Sequence, residues 1–397
     1  MSTTTRFQLM VMMFLEFFVW GSWYVTMGTY LGDNLQATGF QIGLAYQTVS
    51  IAAIIAPFFI GLIADRFFPA QHVLGVLHLF GAVVLYLLSE QDSFAQFYPL
   101  ILAYVLMYMP TLALVNAIAF KQVKDASTEF PVIRVLGTIG WIIVGLLIAF
   151  WKLGGDKRLD QTFLIGAIAS LALGVFSFFL PNTPPPKSKS DKVDIRDILG
   201  LDALKMLINP SYLIFFIGSI LVCIPLSFYY SFANPFLSQV GVQEPAGIMV
   251  WGQVSEIAFM LVLPIALARF GIKKILLVGM FAWALRYICF AYGDVGASYW
   301  MLIMGIVLHG ICYDFFFVTG QIYTEQQAGE RFKSSAQGLI TLATYGIGMF
   351  IGSYISGIVV DLYKSNDGFD WTSIWMVPAG LAVVILLGFA FFFRSEK

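Results

Sequence analysis

Twelve stretches of this chain are apolar for long enough to cross a lipid bilayer, and that property restricts the fold to a bundle of membrane helices. A span needs about 20 mostly apolar residues. The runs fall at roughly 7–31, 41–64, 70–89, 96–119, 131–152, 162–180, 208–235, 246–268, 272–293, 298–323, 336–360 and 373–393. In lipid each backbone N–H and C=O must find its partner within the protein, and a continuous apolar run does so by coiling into an α-helix. Composition agrees: 59% of the 397 residues are hydrophobic and 11% charged, against about 25% charged in soluble domains. The first run, at 7–31, is too long for a cleaved leader and is expected to stay as a membrane anchor.

The basic residues set an orientation. With both termini on the cytoplasmic side, the inner loops and tails hold 16 of the 22 lysines and arginines. The outer loops then hold four, Lys152, Lys157, Arg158 and Lys364, and the spans hold Arg134 and Arg286. The longest polar stretch follows the sixth span. It opens Pro181-Asn182-Thr183-Pro184-Pro185-Pro186, which cannot be helical, and ends in a candidate amphipathic helix at 197–207. The chain therefore reads as a six-helix bundle over 1–180, a cytoplasmic linker over 181–207 and a second six-helix bundle over 208–397. The halves echo one another. Ala64-Asp65-Arg66-Phe67 closes the second span, and Ala268-Arg269-Phe270-Gly271 closes the eighth. A duplicated unit of this kind is the usual frame of an alternating-access transporter.

Among the ionisable side chains inside the apolar runs, six carry the argument: Glu16, Arg134, Glu256, Arg286, His309 and Asp314. Each charge at a helix centre costs about 2.5–3.5 kcal/mol, so together they would cost roughly 15–20 kcal/mol against lipid. Most must face water or one another, and a mixed-sign membrane interior usually moves something polar.

Their spacing suggests chemistry. Arg134, Thr138 and Trp141 follow i, i+4, i+7 and share a helix face. A guanidinium, a hydroxyl and an indole together suit an aromatic, hydroxyl-rich ligand; the alternative is that Arg134 anchors the helix end by snorkelling. Gln253 and Glu256 lie one turn apart near mid-span. A carboxyl there can load and release a proton as its surroundings change, or serve as a fixed interhelical hydrogen bond. His309 and Tyr313 stand one turn apart and Asp314 follows; His309 is either a base-edge or proton-relay group or a packed side chain. Glu16 with Trp20 and Trp23 repeats the i, i+4, i+7 pattern, for coupling or for a structural bond. Arg286, toward the outer end of its span, reads as structural, and the Asp65-Arg66 pair reads as an inner-gate contact.

Other classes are excluded. Net charge is −1, which offers no basic surface to nucleic acid. Cys223, Cys289 and Cys312 lie in apolar runs without metal-ligand spacing. Walker A, G-x-S-x-G and H-E-x-x-H sequences are absent, so the chain is not expected to be an enzyme. No cofactor is expected, and the energy source is an ion gradient, with protons favoured by the buried carboxylates and histidine.

Gly61-Leu62-Ile63-Ala64-Asp65-Arg66 resembles the loop between helices 2 and 3 of the major facilitator superfamily, with Phe67-Phe68-Pro69 in place of its glycine and basic pair. A narrower set covers nearly the whole chain: Glu16 with Trp20-Gly21-Ser22-Trp23, Ile133-Arg134-Val135-Leu136-Gly137-Thr138, Gln253-Val254-Ser255-Glu256, Trp283-Ala284-Leu285-Arg286-Tyr287, Tyr313-Asp314-Phe315-Phe316 and Ser335-Ala336-Gln337-Gly338. These segments, in this order, resemble the nucleoside:proton symporter family of bacterial permeases. The resemblance implies that Arg134, Thr138, Trp141, Gln253, Glu256, Tyr313 and Asp314 line the nucleoside cavity or couple protons. Three places depart from the family pattern. Ser227 and Tyr230 stand where a glutamine and an asparagine are usual, His309 where a tyrosine is, and Glu16 where a glutamine is.

The expectation is an all-α, twelve-span transporter of the major facilitator fold that takes up nucleosides with protons by alternating access. Ser227, Tyr230 and His309 keep a proton-coupled sugar or polyol symporter open as the alternative. The expected partners are a small-molecule substrate, protons and the lipid bilayer. The expected setting is the bacterial inner membrane, as a monomer with both termini cytoplasmic.

Overall fold

The helices follow from the apolar runs and from caps at their ends. The computed structural model describes residues 2–59, 67–124, 126–185, 201–366 and 368–394. In chain order these form α1 (Thr3–Tyr24), α2 (Met27–Asp33), α3 (Gly39–Phe59), α4 (Ala70–Ser89), α5 (Phe94–Gln122), α6 (Ala126–Phe150), α7 (Asp160–Ser177), α8 (Pro210–Gln239) and α9 (Pro245–Tyr292). They continue with α10 (Tyr299–Tyr313), α11 (Thr319–Thr341), α12 (Met349–Leu362) and α13 (Trp371–Phe392). Ser2 caps α1 by accepting from Thr5 N at 3.0 Å. Asn209 caps α8 by accepting from Ser211 N at 2.8 Å, with Pro210 in the first turn. Asp370 caps α13 by accepting from Ser373 N at 3.1 Å. Each cap satisfies N–H groups that the helix leaves unpaired.

Among the described residues, ten helices are long and apolar enough to cross a membrane. Helix α9 adds two more: Gly271, at φ 73° and ψ 166°, breaks it into arms at 245–270 and 272–292. Only glycine adopts that backbone region at little cost. Among the described residues the twelve-span architecture of the major facilitator fold is thus present and nearly all helical; the exception is a short antiparallel hairpin, Lys364–Ser365 with Gly368–Phe369, between α12 and α13. The stretches at 298–323 and 336–360 form two spans, Tyr299–Ala328 and Ser335–Leu362, each interrupted by a π-helical segment, at Asp314–Val318 and Leu342–Gly348. One detail differs from the sequence reading. The predicted amphipathic α-helix at 197–207 is, over Leu201–Ile208, a 3-10 helix, and residues 186–200 lie outside the described residues. Several helices also run past their apolar limits, since hydropathy marks the lipid-buried part and not the turns that continue into water.

The chain packs as two units. The first comprises Met1–Ala37 and Ile51–Asp194, the second Thr38–Ser50 and Ile195–Lys397, so the seam falls inside α3. In the first unit α1 lies against α6 and α7, and α4 against α5 and α7. Leu9, Met12, Met13, Leu74, Leu114, Ile118, Ile133 and Leu173 close its core. In the second unit α9 lies against α10 and α13, and α8 against α12 and α13. The α3 segment of that unit joins α12, where Asp361 accepts from Gly39 N at 2.6 Å and Phe40 N at 2.8 Å. Large apolar side chains remain exposed along the helices, among them Phe150, Leu261, Val384 and Phe391, while Glu16, His78, Arg286, His309 and Asp314 are buried. Apolar outside and polar inside inverts the soluble pattern and suits lipid.

Candidate substrate and proton sites

Helices α1 and α6 can approach closely because of their glycines. A Cβ on Gly140 would collide with the Phe14 carbonyl, and one on Gly21 would meet the Trp141 ring at about 3.0 Å. This contact sets Trp141 beside Trp20, with ring centroids 5.6 Å apart in an edge-on arrangement, and 6.2 Å from Tyr24. Two turns down the same α6 face, the Arg134 guanidinium lies 3.9 Å from the Phe17 ring centroid, a cation–π contact. Arg134, Thr138 and Trp141 are each only partly buried. The structure thus brings the predicted guanidinium, hydroxyl and indole together as one wall of the first unit.

Behind that wall lies a fully buried polar network. Glu16 is 0% and His78 2% exposed. Glu16 Oε2 lies 2.9 Å from His78 Nε2, and Glu16 Oε1 accepts from Thr111 Oγ1 at 2.6 Å. His78 Nδ1 lies 2.9 Å from Ser170 Oγ. Tyr108 donates its hydroxyl to the Glu16 backbone carbonyl at 2.7 Å, and its ring sits 5.9 Å from Trp20. Helices α1, α4, α5 and α7 each supply one or more members.

In the second unit Ser255 pins α9 to α10: its hydroxyl donates to the Val307 carbonyl and accepts from Gly310 N at 2.9 Å. That register puts Glu256 Oε2 3.7 Å from His309 Nε2. His309 stacks on Tyr229 at 5.3 Å and on Tyr313 at 5.8 Å. Tyr230 packs edge-on to Tyr229 at 5.7 Å, and the Tyr313 hydroxyl bonds to that of Tyr345 at 2.9 Å. Asp314 is fully buried, yet neither carboxyl oxygen has a hydrogen-bond partner. It opens the π-helical segment, the kind of local widening that often marks functional positions. A buried charge without a partner is costly, so this carboxyl is poised to hold a proton or meet a cation.

The remaining predicted residues are placed as follows. Gln253, one turn from Glu256, is partly exposed. Ser227 is fully buried and donates to the Cys223 carbonyl of its own helix at 2.9 Å. Arg286 is fully buried, donates through Nε to the Gly305 carbonyl at 2.9 Å, and lies 4.1 Å from the Tyr229 ring. Trp23 packs against Tyr104. The gate pair Asp65 and Arg66 lies outside the described residues.

The sequence pattern of the family described as "Nucleoside H+ symporter" matches residues 1–397. The chain belongs to the nucleoside:proton symporter family. It is 45% identical over its full length to the candidate nucleoside transporter YegT of Escherichia coli, covering 95% of that protein. It is 34% identical to nucleoside permease NupG of Escherichia coli, with 98% of this chain and 96% of NupG covered. A crystal structure of NupG superposes with a TM-score of 0.89 at 33% identity, covering 99% of this chain and all of that one. As a member of this family the protein is a secondary transporter, not an enzyme, and couples nucleoside uptake to protons by alternating access. The nucleoside reading stands over the sugar alternative. The maltose and sucrose permeases among its relatives are only 23% and 21% identical.

His78 and Tyr345, like Thr111, Ser170 and Tyr229, belong to the symporter's polar interior and fall outside the sequence expectations. His78 sits in the apolar run 70–89 as plainly as Glu16 sits in 7–31, and the same hydropathy test flags it. Tyr345 carries no signal of its own, because tyrosine is common at membrane depth and only its bond to Tyr313 distinguishes it.

Proposed function

We propose that each unit supplies its own nucleoside contacts and that Glu256 and Asp314 carry the coupled proton. In the first unit Trp141 stacks against the base, while Arg134 and Thr138 hydrogen-bond to its edge or to the ribose. In the second, Gln253, Glu256, His309, Tyr313 and Tyr230 read the polar groups. The observation that carries this reading is the Glu256–His309 contact at 3.7 Å on an aromatic stack, on the same helical path as the unpartnered Asp314 carboxyl. Protonation of these acids removes the charge that opposes closure around a neutral ligand, and re-ionisation at the inner side drives release. The transporter works as a monomer in the bacterial inner membrane, with both termini cytoplasmic and the proton gradient as its only energy source.

Proteoliposomes with an imposed inward proton gradient test this reading. Labelled uridine or adenosine should accumulate, and a protonophore should collapse the accumulation. Glu256→Gln should lose the dependence of uptake on that gradient. A gradient dependence equal to wild type in Glu256→Gln removes Glu256 from coupling. Accumulation of a sugar untouched by excess nucleoside would overturn the choice of substrate contacts.

A further inference from the structure

The Glu16–His78 network has room for one proton more than it needs to satisfy its hydrogen bonds, and two hydroxyl groups show where. Ser170 Oγ lies 2.9 Å from the His78 backbone carbonyl and 2.9 Å from His78 Nδ1. A hydroxyl has one hydrogen to donate and a carbonyl can only accept. Ser170 therefore donates to the carbonyl, and Nδ1 carries a hydrogen that it donates to Ser170. Thr111 Oγ1 meets two acceptors, Glu16 Oε1 at 2.6 Å and the Tyr108 carbonyl at 2.5 Å. Its single hydrogen can serve only one of them.

The two settings of the Thr111 hydroxyl correspond to two proton counts. When Thr111 donates to Glu16 Oε1, that oxygen is bare, and one proton is shared between Oε2 and His78 Nε2. When Thr111 turns to the Tyr108 carbonyl, two acceptor oxygens would face one another at 2.6 Å unless Oε1 carries a hydrogen of its own. The carboxyl then donates to Thr111, and His78 Nε2 keeps its hydrogen against Oε2. The first state holds one proton between acid and base and is neutral; the second holds two and carries one positive charge. No bond other than O–H and N–H forms or breaks, and the heavy atoms stay in place.

From this arrangement we infer that Glu16 and His78 form a second proton-binding site in the first unit, switched by the Thr111 hydroxyl and linked to the substrate wall through Tyr108. Tyr108 bonds to the Glu16 carbonyl with its hydroxyl, offers its own carbonyl as the alternative acceptor, and packs on Trp20, which packs on Trp141. A base stacked on Trp141 thereby presses on the residue whose carbonyl decides the proton count. The titratable groups that face the pair are Tyr104 and Tyr108 from α5, with Arg134 from α6 acting on Tyr108; α7 contributes Ser170. The loaded cation has the His78–Tyr108 edge contact at 6.0 Å to disperse its charge.

This site rests on the nucleoside:proton reading for its purpose, but not for its detection. Infrared difference spectra of the purified transporter, acid minus alkaline, report protonated carboxyl groups directly. Wild type should show a band that is absent in Glu16→Gln and retained in Glu256→Gln and Asp314→Asn. Thr111→Val keeps the pair and the side-chain volume but removes the switch, and should shift loading to lower pH. In uptake assays Glu16→Gln should flatten the pH profile, since one binding step changes occupancy by about tenfold per pH unit beyond its midpoint. An acid-induced carboxyl spectrum identical in wild type, Glu16→Gln and Thr111→Val overturns the site, as does a wild-type loading midpoint in Thr111→Val alone. A Glu16 band in a protein that takes up no nucleoside supports the site and refutes the transport reading. Proton-driven uptake with no Glu16 band refutes the site alone.

Discussion

Trp141 is held without being covered: Trp20 and Tyr24 lie edge-on to it and part of its surface stays open. A ring fixed in this way can stack a base at little further entropic cost. Base–aromatic stacking is worth about 1–3 kcal/mol. Trp141→Ala should therefore raise the KM for nucleoside uptake by roughly 5- to 150-fold, while Trp141→Phe keeps most of the affinity. Kinetics of labelled-nucleoside uptake check this, and a KM unchanged in the alanine variant would remove the indole from the substrate wall. Glu16 and His78 teach the complementary lesson at this scale. Hydropathy flags each as costly in lipid, yet neither says that the other is its partner. The two are 62 positions apart, on different helices, and only packing of α1 against its neighbours joins them.

At the scale of elements, glycine positions decide how near the helices come. A side chain at Gly140 has nowhere to go except into the Phe14 carbonyl of α1, whereas Gly380 on α13 has open space around its missing Cβ. Overpacking a close contact costs about 1–3 kcal/mol, and a change at an open surface stays within about 0.5 kcal/mol. Gly140→Val should lower the melting temperature of the detergent-purified protein and slow uptake by displacing Trp141. Gly380→Ala should do neither, and equal melting for the two variants would contradict the helix contact. The π-helical segments belong to this scale as well. Asp314 opens one of them and Tyr345 lies in the other, so the Tyr313–Tyr345 bond at 2.9 Å spans two places where regular helix geometry is interrupted. Residue spacing assumes 3.6 residues per turn, so it reads such places less well than the regular α1 and α6 faces.

For the whole molecule, the basic-residue count predicts an orientation that labelling can test. In intact cells an impermeant thiol reagent should modify Ser365→Cys, next to Lys364 in the short strand pair Lys364–Ser365 and Gly368–Phe369 that this count places outside, and leave Ser2→Cys unmodified. The native cysteines Cys223, Cys289 and Cys312 are all buried, which keeps the background low. The reverse pattern would invert the topology. The span count, the helical class and the transporter family were settled by the chain itself, because lipid leaves an apolar run of 20 residues one way to satisfy its backbone and because family motifs lie in order along it. The local faces were readable too, since i, i+4, i+7 spacing is a property of one helix. What tertiary structure alone decided is which helix each buried charge meets. Glu16 meets His78 and Glu256 meets His309, while Asp314 meets no hydrogen-bond partner. Those pairings depend on how glycines, serines and π-helical turns set the approach and register of separate helices, and no periodicity within a single run contains that information.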